Sequence, residues 1–407
     1  MINLKKIDQN NRYESRITVI GVWGMKVAFF KHGLNSNDAQ AMADVLATPF
    51  LTSGPVGKKV EAQLESFFDV RHALLSNSWT NGAIATLLAL DIGKDDEVIV
   101  PAMTFIATAN IAELLGAKPI IVDVDPDTQL MRASDVEKAI SPKTRAIIPV
   151  HLYGQMCDIK AIRNTFGNRT DIAIIEDCAH AFESELNGDK PGTHSDAAIF
   201  SFYATKNIAC GEGGAIITNN SELFEKLKQT RLHGMSAGAA DRFKTGSYNH
   251  WDMERLGVKA NLPDLLAALL PKQIEYVYEQ LARRAILADR YRNGFANLPI
   301  KMIKKVSNAL DALHLFPIGV DAKIRDDVLL QLAKANIGAT VNYRAIHTLS
   351  YYRNKYNFKT SDFPNANSWG QSAISLPLYP SLTFAEQDYV IDSVKQILNS
   401  KLEKIAS

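Results

Sequence analysis

Short apolar runs rich in β-branched residues recur along the first half of the chain, and they constrain its fold more than any other feature. Runs that are apolar throughout, without alternation, are typical of strands buried on both faces of a sheet. Helical segments at 106–115, 134–140 and 158–166 separate several of them. This order predicts an α/β fold with a mostly parallel central sheet flanked by helices. The runs lie at 97–100, 119–122, 146–150, 172–175, 197–202 and 214–218.

The pattern changes after the sheet. A long helical region is predicted over about 262–295, with Pro271 marking a kink or a helix boundary. Before the sheet, Asn37 is predicted to cap a helix that ends near Leu46, and a helical stripe follows at 57–68. In the last third, the sequence predicts a strand at 313–320, a helix at 326–335, a strand at 339–343 and a helix at 384–398.

These segments predict three regions. Residues 1–25 are expected to be an extension that packs poorly, because regular patterning begins only after Met25. Residues 26–290 would form a large domain around the sheet, and residues 291–407 a smaller α+β domain.

Charge and cysteine content exclude several classes of protein. The chain has 45 basic and 44 acidic residues, a net charge of +1, which argues against a dedicated surface for nucleic acid or anionic membrane. Its 3 cysteines have no paired spacing, so we expect no disulfide framework and a cytoplasmic location. The apolar stretch at 17–30 contains Gly21, Gly24 and Lys26 and is too short to span a membrane.

Polar residues at the ends of the predicted strands are candidates for chemistry, since α/β sheets bind ligands at the carboxyl ends of their strands. Asp177 is either a strand-end cap or the counter-ion of a cation in a cleft. Lys206 is either a solvated lysine or a desolvated Schiff-base nucleophile. The turn at 76–82 is either a plain helix cap or a phosphate site at a helix N-terminus.

Taken together, a phosphate cradle, a carboxylate for a ring nitrogen and a lysine are what pyridoxal phosphate requires. No dinucleotide fingerprint appears, and residues 54–58 imitate only part of a P-loop. Cys178 and His180 form a conceivable metal or nucleophile pair, but no second cluster of ligands accompanies them. We therefore predict a pyridoxal phosphate site and no metal.

Several motifs also carry a resemblance to a known family. They are Ser53-Gly54-Pro55, Val98-Ile99-Val100-Pro101 with Thr104-Phe105, Pro149-Val150-His151-Leu152-Tyr153-Gly154, Ile175-Glu176-Asp177-Cys178-Ala179-His180, Phe200-Ser201-Phe202, Lys206-Asn207-Ile208, Gly211-Glu212-Gly213-Gly214 and Tyr343-Arg344-Ala345-Ile346-His347-Thr348. Over about 27–397 the chain resembles the DegT/DnrJ/StrS family of pyridoxal-phosphate-dependent sugar aminotransferases. It is most similar to the subset that makes 4-amino sugars, including the enzymes for lipid A aminoarabinose and for pseudaminic acid. The resemblance implies a fold-type I transferase.

The resemblance implies catalytic and cofactor-binding roles at matching positions. Lys206 would bind the cofactor covalently and move the proton, while Asp177 would pair with the pyridinium nitrogen. Phe105 would stack on the cofactor ring, and His180 would lie beside it. Contacts to the phosphate would come from Trp79, Thr80 and Ser201. Trp79 departs from the small residue usual there, which favours a contact through its backbone.

Two further implications concern the partner subunit and the substrate. Asn261 matches an asparagine that reaches the phosphate from a second subunit, which implies a homodimer with shared active sites. Tyr343 and His347 fall where the family builds part of its sugar-nucleotide pocket.

The implied activity is the transamination of a nucleotide-linked 4-keto sugar, or a 3-keto sugar, with L-glutamate as amino donor, in the biosynthesis of a surface polysaccharide or other glycan. One alternative is a related sugar dehydratase, but members that dehydrate replace the lysine with histidine, so Lys206 counts against it. The other is a non-catalytic regulator on the same fold.

Overall fold

A seven-stranded sheet forms the centre of the computed structural model, which describes residues 25–236 and 250–406. The strands in this part of the chain are β1 His72–Ser76, β2 Glu97–Pro101, β3 Lys118–Val122, β4 Thr144–Ile147, β5 Ala173–Asp177, β6 Glu185–Leu186, β7 Ala197–Ser201, β8 Gly214–Thr218, β9 Lys301–Met302, β10 Ala309–Leu310, β11 Phe316–Gly319 and β12 Ala373–Leu376.

Helices precede, separate and follow these strands. They are α1 Ser36–Leu46, α2 Pro55–Phe68, α3 Trp79–Ala89, α4 Ala107–Leu114, α5 Ala133–Ala139, α6 Ile159–Asn164, α7 Ser221–Thr230, α8 Asp264–Ala267, α9 Pro271–Glu275, α10 Val277–Gly294, α11 Arg325–Lys334, α12 Ser350–Tyr356, α13 Pro364–Ser372 and α14 Phe384–Ala406. None of those in the described ranges has the length and apolarity needed to cross a membrane.

The central sheet has the strand order β1-β8-β7-β5-β4-β2-β3. The pairings from β3 through β2, β4 and β5 to β7 are parallel, whereas β8 pairs antiparallel with both β7 and β1. This arrangement confirms the predicted α/β fold with a mostly parallel sheet. Each of the six predicted apolar runs overlaps a strand of this sheet.

Both faces of the sheet are covered. Along β1, Leu74 packs in one apolar core and its neighbour Leu75 in another; along β7, Ile199 and Phe200 divide between the same two cores. Because successive side chains of a strand point to opposite faces, this alternation places one core on each side of the sheet. Such two-sided burial explains why the strands are apolar throughout.

A third core and a three-stranded sheet, ordered β12-β11-β9, organise the last part of the chain. Val27, near the start of the described residues, belongs to this core: its N–H donates to the carbonyl of Asn336 at 3.0 Å, and its carbonyl accepts from Gly338 at 2.8 Å. Residue 290 lies near the end of α10, and the domain boundary there stays a prediction. The proposed extension over 1–25 lies almost wholly outside the described residues.

Three local predictions differ from the structure or are refined by it. The strand predicted at 339–343 is wrong: Thr340 makes only an isolated bridge with Ser375, after which the chain leaves the small sheet toward the cavity described below. Asn35 rather than Asn37 caps α1, since its side chain accepts the N–H of Asn37. Pro271 begins α9, which confirms the predicted helix boundary.

Candidate active site

A cavity of about 480 Å³ lies at the carboxyl ends of β2, β5 and β7, beside the N-terminus of α3. The parallel strands bring their ends to the same edge of the sheet, so residues distant in sequence meet there. Eight of the ten predicted site residues line it: Trp79, Thr80, Phe105, Asp177, His180, Ser201, Lys206 and Tyr343.

Lys206 follows β7 and lies in the wall of the cavity. Desolvation by the surrounding protein lowers its pKa to about 8, although the charge of Asp177 opposes this effect. At pH 7, roughly a tenth of such a lysine is the uncharged amine, far more than for a lysine with the ordinary pKa of about 10.4. Lys206 is therefore a much better nucleophile than a solvated lysine.

The lowered pKa gives a direct prediction for the cofactor-free protein. Competitive acylation followed by peptide mass spectrometry is expected to give a midpoint near pH 8 for Lys206, because its amine form is the reactive one. The exposed Lys118 on β3 serves as the internal reference. In Asp177→Asn the midpoint is expected to fall further, because the carboxylate that stabilises the ammonium form of Lys206 is then absent. A midpoint near about 10 in the wild type would refute the desolvated amine.

Asp177 ends β5 and is buried. Its Oδ2 accepts a hydrogen bond from the Thr108 hydroxyl at 2.9 Å, and its Oδ1 accepts one from the Ala179 N–H at 3.1 Å. Burial raises the pKa of this carboxyl, while these two hydrogen bonds and the charge of Lys206 favour its ionised form. A cationic ring nitrogen placed in the cavity would stabilise the ionised carboxylate and so offset the cost of its burial.

His180 is held as a neutral imidazole with a defined tautomer. Its Nδ1 accepts the backbone N–H of Tyr153 at 3.2 Å, so the ring proton is on Nε2, which lies 3.0 Å from the Tyr343 hydroxyl oxygen. Burial and the charge of Lys206 keep the pKa of His180 well below its usual value. Tyr343 therefore accepts from His180 and can donate its own proton to another acceptor. Phe105 lies next to Tyr343, with ring centroids 5.6 Å apart.

The opposite end of the cavity offers donors suited to an anion. Ser78 caps α3 by accepting the N–H of Asn81 at 3.1 Å, while Trp79 and Thr80 form the first turn of the helix. Backbone N–H groups of a first turn point outward, and the helix dipole favours negative charge there. The indole Nε1 of Trp79 is buried without a hydrogen-bond partner among the described residues. Ser201 adds a hydroxyl.

This donor set fits pyridoxal phosphate. The cofactor needs an amine for its aldehyde, an acidic partner for its ring nitrogen and donors for its phosphate. The cavity supplies Lys206, Asp177 and the α3 N-terminus for these three groups, and the Trp79 N–H in its wall is buried without a partner among the described residues.

Asn261 and His347 do not line the cavity of their own chain. Asn261 donates to the Ser53 hydroxyl at 2.8 Å and accepts from the Lys259 ammonium at 2.5 Å. His347 is buried in the turn Ile346–Thr348, with its ring centroid 4.8 Å from that of Phe363, and neither ring nitrogen has a partner in the described part of the chain. Their predicted roles stay predictions.

Cys178 and His180 have separate partners, since both ring nitrogens of His180 already contact Tyr153 and Tyr343. Burial raises the pKa of the Cys178 thiol to about 12, which suppresses the thiolate. The Cys178 thiol lies instead near His151 and Glu176. These two side chains are already engaged: His151 Nε2 is 2.6 Å from the Glu176 carboxylate, and Glu176 also accepts the Gly192 N–H at 2.7 Å.

Sequence reasoning missed two kinds of residue around the cavity. Thr108, whose hydroxyl donates to Asp177, lies in the first turn of α4, the helix after β2. Its position in the segment that follows a predicted strand could have marked it as a site residue. His314 packs against His180 with tilted rings whose centroids are 4.3 Å apart, yet no local pattern marks it, because the contact depends on how the last part of the chain packs.

Comparison with known proteins agrees with this geometry. A model of the DegT/DnrJ/EryC1/StrS aminotransferase family matches residues 33–395. The chain is 31% identical to S. venezuelae DesV, solved with a ketimine intermediate (TM-score 0.83; 92% of this chain and 98% of that chain covered). It is 27% identical to Helicobacter pylori PseC, an aminotransferase involved in pseudaminic acid biosynthesis (TM-score 0.84; 92% and 100% covered). The pyridoxal phosphate form of Streptococcus pneumoniae Spr1654, assigned as a sugar aminotransferase, is 29% identical (TM-score 0.85; 92% and 99% covered). With its fold, its cavity and a family match over most of its length, the chain belongs to the DegT/DnrJ/EryC1/StrS family of pyridoxal-phosphate-dependent sugar aminotransferases.

Proposed function

We propose that this chain transfers the amino group of L-glutamate to a nucleotide-linked 4-keto sugar, in the cytoplasm, for the biosynthesis of a surface polysaccharide or other glycan. The observation that carries the proposal is the convergence of a desolvated Lys206, the buried carboxylate of Asp177 and the N-terminus of α3 on one cavity. The likeness to PseC, an aminotransferase involved in pseudaminic acid biosynthesis, supports the substrate class. The presence of Lys206 disfavours the dehydratase alternative.

Bound pyridoxal phosphate supplies an electron sink for the carbon atom that gains or loses a proton. Lys206 would hold the cofactor through Nζ, and its amine would carry the proton to and from that carbon. Its pKa of about 8 suits this work, because a proton carrier is most effective near the operating pH. Asp177 keeps a proton on the ring nitrogen, since its buried charge is fixed in place by Thr108 and Ala179.

The remaining residues bind and orient. The first turn of α3, with Trp79 and Thr80, and the Ser201 hydroxyl hold the phosphate. Phe105 and His180 line the cavity and would contact the cofactor ring. Tyr343, whose hydroxyl oxygen accepts from His180, donates its proton toward an oxygen of the cofactor or the sugar. Neither ring nitrogen of His347 has a partner among the described residues. This side chain would bind the sugar nucleotide.

The decisive experiment is a panel of nucleotide-linked 4-keto and 3-keto sugars incubated with the holoenzyme and L-glutamate. Mass spectrometry distinguishes a sugar that gains an amino group from one that loses water. Glutamate-dependent amination of a 4-keto sugar is the expected result, with the Lys206→Ala variant as control. Loss of water would instead identify a dehydratase, and a cofactor that never responds to glutamate would identify a regulator.

The assignment of Asn261 predicts an obligate homodimer in which each site needs both chains. Its side chain is absent from the cavity of its own chain, which supports this assignment. However, the carbonyl of the neighbouring Ala260 accepts the Asn77 N–H at 2.7 Å, so this segment also lies beside the turn before α3 of its own chain. Mixing two damaged chains separates the two possibilities.

Lys206→Ala and Asn261→Ala chains, each weak or dead alone, are expected to restore activity after co-refolding. In a mixed dimer, the site with intact Lys206 receives Asn261 from the other chain and is wild type, while the second site carries both lesions. Random pairing makes half of the dimers mixed, so activity should approach about a quarter of the wild-type value. If Asn261 acts within its own chain, no site is intact and activity stays at the parental average.

A further inference from the structure

A buried ion pair lies outside the proposed cofactor cavity. The side chains of Arg284, on α10, and Glu183, in the turn between β5 and β6, are 2% and 0% exposed and bind each other directly. Arg284 Nε also donates to the Ala312 carbonyl at 3.1 Å. Burying two charges carries a large desolvation penalty, and a pair of apolar residues is often more stable. Stability alone is therefore a weak explanation for this pair.

Asn207, the residue after Lys206, connects the ion pair to the site. Its Nδ2 donates to Glu183 Oε2 at 3.0 Å and to the Ala312 carbonyl at 3.0 Å. Both partners only accept hydrogen bonds, so the orientation of the amide is fixed. Its Oδ1 consequently faces His314 Nδ1 at 3.0 Å, and the proton of that hydrogen bond must be on His314.

His314 therefore carries a proton on Nδ1. It packs on His180, and with Lys206 it lines a second cavity of about 630 Å³ on the other side of the lysine. Burial and the positive charges of Lys206 and Arg284 hold the pKa of His314 well below its usual value. The ring is therefore uncharged and keeps a lone pair on Nε2. Neither His180 nor His314 adds a positive charge beside Lys206.

We propose that Glu183 and Arg284 are positioning residues that act through Asn207 to fix the Nδ1–H tautomer of His314, which keeps an uncharged imidazole with a free Nε2 lone pair beside His180 and Lys206. The proton on Nδ1 follows from the hydrogen bonds, and the lone pair on Nε2 follows from the burial of the ring beside two cations, which lowers its pKa. Its effect on turnover rests on the proposed aminotransferase function.

Glu183→Gln tests this chain of hydrogen bonds. A glutamine must direct its –NH₂ toward either Arg284 or Asn207, and both of these are donors. Inverting the Asn207 amide resolves the conflict, at the loss of its bond to Ala312, and places Nδ2 against His314. The ring must then accept at Nδ1, which moves its proton to Nε2. Glu183→Gln with Arg284→Met removes the competing donor, so the introduced glutamine can accept from Asn207 again.

The tautomer can be read directly by NMR of protein labelled with ¹⁵N-histidine, with and without pyridoxal phosphate and without any sugar. His314→Phe assigns the two ring nitrogens. We expect a proton on Nδ1 in the wild type, on Nε2 in Glu183→Gln, and on Nδ1 again in the double variant. Wild-type His314 with its proton on Nε2, or an unchanged tautomer in a folded Glu183→Gln, would overturn the proposal.

A second variant covers the case in which Glu183→Gln fails to fold. Asn207→Leu keeps the volume of the side chain and the ion pair but removes the acceptor, so His314 is expected to lose its single tautomer. Retention of a pure Nδ1–H tautomer in this variant would contradict the proposal.

Kinetics with a sugar found in the substrate panel then measure the consequence. In Glu183→Gln we expect kcat to fall about tenfold with KM nearly unchanged, because the altered group lies outside the binding contacts. The double variant should recover most of the loss. A loss of kcat that the double variant does not recover would show that the pair acts on structure alone. Failure to aminate any sugar would reject the proposed function and leave the tautomer result standing.

Discussion

Lys206→Ala is expected to abolish turnover while the protein stays folded and retains cofactor through the phosphate and ring contacts. No other side chain lining the cavity within the described residues offers an amine to replace it. Because desolvation disfavours the charged lysine more than Asp177 stabilises it, removing the side chain is expected to cost little stability. Steady-state assays, the absorbance of bound cofactor and thermal unfolding measure the three parts of this prediction.

Lys206→Arg is the matched control, since it keeps a positive charge and most of the side-chain length. A guanidinium stays protonated and cannot bind the cofactor covalently, so this variant should be as inactive as Lys206→Ala. Near-normal turnover in either variant would refute the assignment of Lys206 as the residue that binds the cofactor.

Asp177→Asn is expected to keep the cofactor bound and to lower kcat by roughly 10²–10³, or about 3–4 kcal/mol in transition-state stabilisation. An amide has the shape of the carboxylate but not its charge, and it cannot hold a proton on the ring nitrogen. Single-turnover kinetics with L-glutamate measure the effect on the first half of the reaction without a sugar. A loss under about threefold would mean that Asp177 only caps the strand.

Thr108→Val provides a graded comparison. It removes the hydroxyl that donates to Asp177 Oδ2 but preserves the carboxylate and the shape of the side chain. We expect a smaller loss than in Asp177→Asn, because the charge remains and only its orientation relaxes. A loss in Thr108→Val equal to that in Asp177→Asn would place the effect in the orientation of the carboxylate rather than in its charge.

Much of the fold and of the cavity was predictable because both depend on local sequence features. Strands buried on both faces must be apolar throughout, so the central ones were visible as runs. Asp177 and Lys206 follow such strands, and the ends of parallel strands converge. The family resemblance then specified roles that position alone left open.

The features that escaped prediction depend on contacts between distant parts of the chain. β1 is a five-residue edge strand whose partner, β8, comes far later, and its sequence, HALLS, carries no distinctive pattern. Arg284 and Glu183 read as ordinary surface charges until α10 packs beside the turn after β5. Thr340 lies in a β-prone stretch, but only one bridge holds it to its neighbour, so local propensity overestimated the strand.

The attachment of Val27 to the C-terminal core has a consequence for synthesis. Val27 leaves the ribosome early, but Asn336 and Gly338, which bind its backbone, are translated much later, and the Lys31–Glu386 ion pair joins residues 355 positions apart. Contacts of such long sequence separation form late, after the amino-terminal part has begun to fold. A chain that terminates before Asn336 would lack both backbone partners of Val27, so its amino-terminal segment would have nothing to pair with. In the nascent protein, Val27 has to stay unpaired until Gly338 has been translated.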